Sequence, residues 1–282
     1  MDHSSSGAEP VGRGYRLVTF KTIGSTNTEA MARLKAGDPG RLWVFSSEQT
    51  AGKGRRGRNW VTFRGNFAGS LALVVDVPPA KAATLGFVAG LAVRRALLRV
   101  VSTASVSLVL DGADTLPTNG RGRGRIELKW PNDLIVEGAK LAGILLEAEP
   151  LPSGLLGVVI GIGVNVVSAP TDLPYPVTSL ADLGVSLEAD LLLHALVEAW
   201  PDLYRIWSEP DGMQDIGREW LAGAAGVGGP VAVQVGGRVF RGIFETIDAE
   251  GRLMVVDERG VRHAIAAGEV HFGVAATARP EE

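Results

Sequence analysis

The sequence predicts an α+β protein: a larger domain with a mixed or antiparallel sheet and packed helices, followed by a small antiparallel β-barrel. Three features predict it. The β-type runs "IELKW" (126–130), "DLIVEG" (133–138), "KLAGILLEAE" (140–149) and "LLGVVIGIGVNV" (155–166) follow one another with no helical stretch between them, which favours hairpins over crossovers. Helical periodicity is confined to segments on either side of that block. The composition then changes at "GAAGVGGP" (223–230), after which only short β-rich runs at turn spacing remain. A chain of 282 residues, 46% hydrophobic and 21% charged, holds one sizeable core and a small appendix.

Residues 1–14 are polar and rich in Gly, Pro and Ser, and read as a disordered tail, as does 275–282. "YRLVTF" (15–20) is a short strand. In "STNTEAMARLKAG" (25–37), Thr26 and Glu29 form a capping-box pattern, Ala30, Met31 and Leu34 recur at helical spacing, and Gly37 ends the run. "LWVFSSE" (42–48) and "SLALVVDV" (70–77) are strands flanking a basic loop, and 78–101 reads as one buried helix. Residues 111–125 have no period and many breakers, so a surface excursion is expected there. Residues 188–209 are helical with a kink expected at Pro201, and 211–223 form a shorter helix. Residues 15–222 are thus the larger domain, 223–230 a linker and 231–274 the barrel.

Composition excludes several function classes. A net charge of −3 argues against a protein that coats nucleic acid, which needs a broad excess of Lys and Arg. With no cysteine there is no disulfide, thiolate nucleophile or cysteine metal site, and the four histidines show no paired ligand spacing. No signal peptide and no long uncharged apolar stretch occurs, so a soluble cytoplasmic protein without membrane partners is expected.

Three glycine-rich sites stand out. "TAGKGRRGRNW" (50–60) interleaves cations with glycines, so that backbone amides and guanidinium groups can reach one anion together, beside the flat Trp60. Gly52, Gly54 and Gly57 spell a dinucleotide fingerprint, but no helical stripe opens at the third glycine, and no P-loop pattern occurs. The bland alternative is a solvated basic turn. In "KWPNDL" (129–134), Pro131 interrupts a strand and presents Asn132 and Asp133 on a turn; Lys140 then enters an apolar strand, where a buried ammonium needs an anion unless it snorkels. In "GIGVNV" (161–166), Gly161 and Gly163 mark a bulge or a close backbone approach ahead of Asn165.

Taken in order, "GSTN", "EQTAGKGRRGRNW", "KWPNDL", "KLAGILLE" and "GIGVNV" resemble the biotin protein ligases, and the match spans most of the chain. The resemblance implies a class II synthetase-like biotin/lipoate ligase fold with an SH3-like C-terminal domain. It implies a two-step reaction: biotin and ATP give biotinyl-5'-AMP and pyrophosphate, and biotin then passes to one lysine of a biotin carboxyl carrier domain of a carboxylase. Carried over by residue, Ser25, Thr26 and Gln49 would contact biotin, with Gly52, Lys53, Arg55, Gly143, Gly161 and Gly163 lining its pocket. Arg55 and Arg58 would engage the phosphates, Trp60 cover the adenine, and Asn132 and Asn165 hold the nucleotide. Lys140 would bridge the biotin carboxylate and the α-phosphate, and Asp133 would face Mg²⁺. Lys53 stands where the family usually has arginine, which keeps the cation without the bidentate fork. Bifunctional members add an N-terminal helix-turn-helix repressor domain, and too few residues precede "GSTN" for one, so ligase activity without repressor function is expected. The resemblance allows a homodimer. Lipoate ligase or lipoyl transferase chemistry on the same fold, or a non-enzymatic nucleic-acid-binding module, are the alternatives.

Overall fold

The computed structural model describes residues 7–104, 115–118 and 122–272. Its centre is a nine-stranded sheet in the order β1-β2-β3-β4-β9-β8-β7-β6-β5. β1 (Glu9–Gly12) and β2 (Tyr15–Phe20) form the edge, β3 (Leu42–Ser46) and β4 (Phe67–Val75) follow, and β9 (Leu156–Val164) lies beside β4. β8 (Ala139–Pro150), β7 (Asp133–Val136), β6 (Gly122–Lys129) and β5 (Thr115–Thr118) complete it. β2 and β3 pair in parallel, joined by helix α1 (Thr26–Lys35) as a parallel pair requires, whereas the other neighbours are antiparallel. β7 and β8 are joined by Glu137 and Gly138, both at positive φ, the two-residue turn that matches strand twist.

Both faces of the sheet are covered. α1 lays Ala30, Met31 and Leu34 on Val44, Ala72 and Val159. The other face carries α2 (Pro79–Ala83), α3 (Leu85–Ala104), α4 (Ala189–Ser208) and α5 (Gly212–Ala222) over the main core. Five of the six tryptophans are buried in that core; the sixth, Trp60, is not, which marks its position as one with another purpose. No helix among the described residues is long and apolar enough to cross a membrane.

Several sequence expectations are corrected here. Residues 9–12 are not tail but an edge strand, paired with β2 through a turn in which Gly12, Arg13 and Gly14 all have positive φ; main-chain pairing at an exposed edge leaves no apolar signature. Residues 1–6 and 275–282, expected as parts of tails, lie outside the described residues, as do 273–274, expected as the end of the barrel. Part of the 111–125 excursion is a hairpin, Thr115–Thr118 against Gly122–Arg125, and the remainder lies outside the described residues. The 78–101 helix is two helices meeting at Thr84, whose hydroxyl donates to the Lys81 carbonyl and accepts from the Trp207 indole. The cap of α1 is Ser25 and not Thr26: Ser25 Oγ accepts from the Thr28 amide, and Glu29 instead pairs with Arg33. As expected, one helix, α4, runs across Pro201.

Residues 230–272 form a second sheet of five antiparallel strands, order β13-β12-β11-β10-β14: β10 (Pro230–Val235), β11 (Arg238–Ile247), β12 (Leu253–Val256), β13 (Arg262–Ile265) and β14 (Glu269–Phe272). The glycine segment before it is pinned to β6, since Leu128 donates to the Gly223 carbonyl and accepts from the Ala225 amide. The two sheets are also joined by the buried Trp130 indole, which donates to the Gly251 carbonyl at 3.0 Å. Trp130→Phe removes the donor and strands a buried carbonyl, so a loss of about 1–3 kcal/mol is expected in denaturant unfolding.

Candidate active site

Between β3 and β4 the chain leaves the sheet as a basic hairpin. Its base is closed by Trp60 donating to the Gly52 carbonyl at 2.9 Å and by a Lys53–Asn59 bridge. At its tip Gly54 donates to the Arg58 carbonyl, and Arg55–Gly57 make a 3-10 turn with Arg56 and Gly57 at positive φ. Gly52 is buried, and a Cβ there would overlap the Trp60 carbonyl, so the pinch requires glycine. The hairpin folds back so that the indole of Trp60 rests on β8 and β9 where Gly143 and Gly163 leave a flat floor; a Cβ on Gly163 would enter the ring.

Beneath it lies a cavity of about 300 Å³, near the lower end for small-molecule sites. Lys53, Arg55 and Arg58 form one wall, Asn132, Asp133 and Lys140 another, and Ser25, Thr26, Asn27, Gln49, Gly161 and Gly163 line the end nearest α1. Lys140 Nζ is 2.8 Å from Asp133 Oδ1, the anion its position demanded, and stands 5.6 Å from the centre of the Trp60 ring and 6.0 Å from that of Tyr175. Its main chain is held on both sides, its amide donating to the Pro176 carbonyl and its carbonyl accepting from the Thr178 amide, each at 2.9 Å.

Two cations here, Arg55 and Lys129, are partly withdrawn from water, whereas Lys53, Arg56 and Arg58 are exposed. Burial is the largest influence on Arg55 and pulls its pKa below the usual guanidinium value, with Asp133 acting in the opposite sense. Lys129, at the end of β6, is lowered mainly by burial too, against the pull of Asp133. A cation deprived of solvent gains more from an arriving anion than an exposed one does. Arg56 and Arg58 meet Glu269 of β14 at 3.3 and 3.1 Å, which ties the hairpin tip to the second sheet.

The opposite end is a polar network. The Thr26 amide donates to Gln49 Oε1 at 2.8 Å, with the Thr26 hydroxyl 3.0 Å from the same oxygen. Gln49 Nε2 reaches Thr62 at 3.2 Å. Ser70 Oγ lies 2.8 Å from Thr26 Oγ1 and 2.6 Å from Asn27 Oδ1, and Asn27 Nδ2 donates to Glu147 at 2.7 Å. Asn132 turns its Nδ2 to the Ile144 carbonyl and leaves Oδ1 buried with no protein partner, an acceptor available to a ligand N–H.

The biotin/lipoate A/B protein ligase family matches residues 19–165, and the biotin protein ligase C-terminal domain matches 227–273. The chain is 37% identical over 255 residues to the biotin-acetyl-CoA-carboxylase ligase of Paracoccus denitrificans, covering 88% of this chain and 97% of that protein. The chain belongs to the biotin/lipoate A/B protein ligase family. The Mycobacterium tuberculosis protein of the same name is 35% identical over 270 residues, covering 92% of this chain and 90% of that protein. The bifunctional ligase/repressor BirA of Bacillus subtilis is 28% identical, across 88% of this chain and 72% of its own. In fold, the biotin protein ligase of Aquifex aeolicus, solved in complex with biotin and ATP, superposes with a TM-score of 0.69 at 20% identity over 91% of this chain and 99% of that one.

Of the residues this family's motifs singled out, the structure brings Ser25, Thr26, Gln49, Lys53, Arg55, Arg58, Trp60, Asn132, Asp133, Lys140, Gly143, Gly161 and Gly163 to one cavity. Gly52 backs the hairpin, and Asn165 does not reach the wall: its Nδ2 donates to the Thr178 carbonyl at 3.0 Å. Sequence reasoning missed Asn27, Asn59 and Tyr175 in the lining, and Ser70, Glu147 and Glu269 behind it. Asn27 had a signal: it shares the helix stripe of Ala30, Met31 and Leu34, where a polar residue is out of place.

Proposed function

We propose that this chain is an ATP-dependent biotin protein ligase, with residues 15–222 as the catalytic domain and 231–274 as the SH3-like domain. The observation that carries it is the convergence of Arg55, Arg58 and Lys140 on one cavity that ends in the polar network around Thr26. In the first step a biotin carboxylate oxygen bonds to the α-phosphorus of ATP, the bond to the bridging oxygen of the β-phosphate breaks, and pyrophosphate leaves. Two unit charges 4 Å apart repel by about 4 kcal/mol at an effective dielectric near 20, and cations must offset this. Lys140 bridges the carboxylate and the α-phosphate, while Arg55 and Arg58 take the charge gathering on the leaving pyrophosphate.

Ser25, Thr26 and Gln49 bind the biotin ring, with Gly52, Lys53, Gly143, Gly161 and Gly163 shaping its pocket. Asn132 holds the nucleotide through its free Oδ1, Trp60 covers the adenylate, and Asn165 acts by fixing the 176–180 segment. In the second step the amine of a carrier lysine bonds to the biotin carbonyl carbon, the bond to the phosphate oxygen breaks, and AMP and a proton leave. No protein nucleophile is required, and proximity supplies much of the rate. The mixed anhydride hydrolyses when wet, which suits a glycine hinge that lowers Trp60 over it.

Mg²⁺ fits this site as a companion of the phosphates. Asp133 is the one carboxylate lining the cavity, and no group of three or more metal-binding side chains occurs among the described residues, so a protein-built cage is absent there while a hydrated ion facing Asp133 is accommodated. When bound it neutralises phosphate charge. The partner is the biotin carboxyl carrier domain of a carboxylase, in the cytoplasm, with no nucleic acid or membrane partner; a homodimer is compatible. The test is exchange of labelled pyrophosphate into ATP. Exchange that requires biotin is expected, no exchange overturns the reading, and exchange driven by lipoate instead assigns the chain to lipoate chemistry.

A further inference from the structure

Glu147 lies outside the cavity wall, on the same face of β8 as Gly143 and Leu145, which line it. A carboxylate accepts hydrogen bonds and an amide has one end of each kind. Glu147 therefore fixes the buried Asn27 with Nδ2 toward itself, 2.7 Å away, and Oδ1 toward Ser70, 2.6 Å away. Gly161 makes this seat available, because a Cβ there would sit 2.8 Å from Asn27 Cγ.

The consequence passes through Ser70. Its hydroxyl has one proton and is fully buried between Asn27 Oδ1 and Thr26 Oγ1. Asn27 Oδ1 cannot donate, so Ser70 gives its proton there. The 2.8 Å contact between Ser70 Oγ and Thr26 Oγ1 is then made by the Thr26 proton, so the Thr26 oxygen, which lines the cavity, keeps its lone pairs for a donor. Were the Asn27 amide reversed, Nδ2 would donate to Ser70, the Ser70 proton would turn to Thr26 and take one of its two lone pairs, and the Thr26 proton, released from Ser70, would present a donor where the ligand needs an acceptor. We propose that Glu147 is a positioning residue for ligand recognition: through Asn27 and Ser70 it keeps Thr26 as an acceptor for a ring N–H of the ligand. This rests on the ligase reading, in which the ligand ring is the biotin ureido group, whose N–H donors a dithiolane ring lacks.

The test is biotin affinity by calorimetry without ATP, together with KM for biotin, KM for ATP and kcat in pyrophosphate exchange, for wild type, Glu147→Gln, Asn27→Asp and the double variant that combines the two. Glu147→Gln can face Asn27 with either end, and a roughly tenfold weaker biotin Kd is expected with KM for ATP unchanged. Asn27→Asp sets two carboxylates against each other and loses more. In the double variant the carboxylate introduced at position 27 accepts both from the amide introduced at position 147 and from Ser70, the Thr26 acceptor is restored, and biotin affinity returns to within about threefold of wild type. Equal biotin affinity of Glu147→Gln and wild type overturns the proposal. So does a double variant no better than Asn27→Asp, or a parallel fall in biotin and ATP affinity and melting temperature, which would mark a purely structural role. Wild type binding biotin while these contrasts fail leaves the ligase reading standing; wild type failing to bind biotin removes both.

Discussion

Lys140→Ala is expected to slow biotin-dependent pyrophosphate exchange by about 100- to 1,000-fold, the range for deleting one preorganised group that meets developing charge. The melting temperature is expected to change little. Asp133 Oδ1 is buried, but its side chain is 23% exposed, the space left by the Lys140 side chain opens onto the cavity, and Lys129 and Arg55 remain near to offset the carboxylate. Because the lysine acts between two anions as they react, the fall is expected in kcat more than in KM for either substrate. A variant that fails to fold would show instead that the ion pair with Asp133 is structural, and circular dichroism with thermal melting distinguishes the two.

Gly161→Ala is expected to weaken biotin binding by about 100-fold. Gly161 is a regular residue of β9, paired with Ser70 on β4 and Leu145 on β8, and its missing side chain is the space that Asn27 fills. Asn27 is 4% exposed, with Ser70 and Glu147 on its two ends, so it has nowhere to retreat; overpacking of this kind costs about 1–3 kcal/mol. Gly143→Ala, in the same pocket, gives the contrast between a neighbour that can yield and one that cannot. A Cβ there stands 3.1 Å from a Trp60 ring carbon and 3.2 Å from the end of the Lys140 side chain, both of which can yield, so a far smaller effect is expected in the same calorimetric titration.

The parts of the fold that were legible are those whose signal is local. Alternation and apolar runs marked β2, β3, β4 and the strands between 126 and 164, because burial on one or both faces dictates residue type along the strand. β1 left no trace, since its pairing with β2 uses main-chain atoms and its side chains face water. The break at Thr84 was hidden, and the partner of its hydroxyl, the Trp207 indole, comes from a helix more than a hundred residues away. The same division holds at the site. The basic hairpin, the Asn132–Asp133 turn and Lys140 are short contiguous patterns, whereas Ser70, Glu147 and Glu269 become meaningful only once the sheet sets them against Asn27 and Arg58. Asn165 was given a nucleotide contact by the family resemblance alone; its Nδ2 donates to the Thr178 carbonyl.

That bond belongs to a strap. Residues 176–178 run alongside Lys140 and clasp its peptide groups, and Asn165 grips the strap from the far side. With its main chain immobilised, the lysine retains only the torsions of its own side chain, so the entropy of placing a positive charge beside the reacting atoms is lost once, as the polypeptide matures, and not afresh in every catalytic cycle.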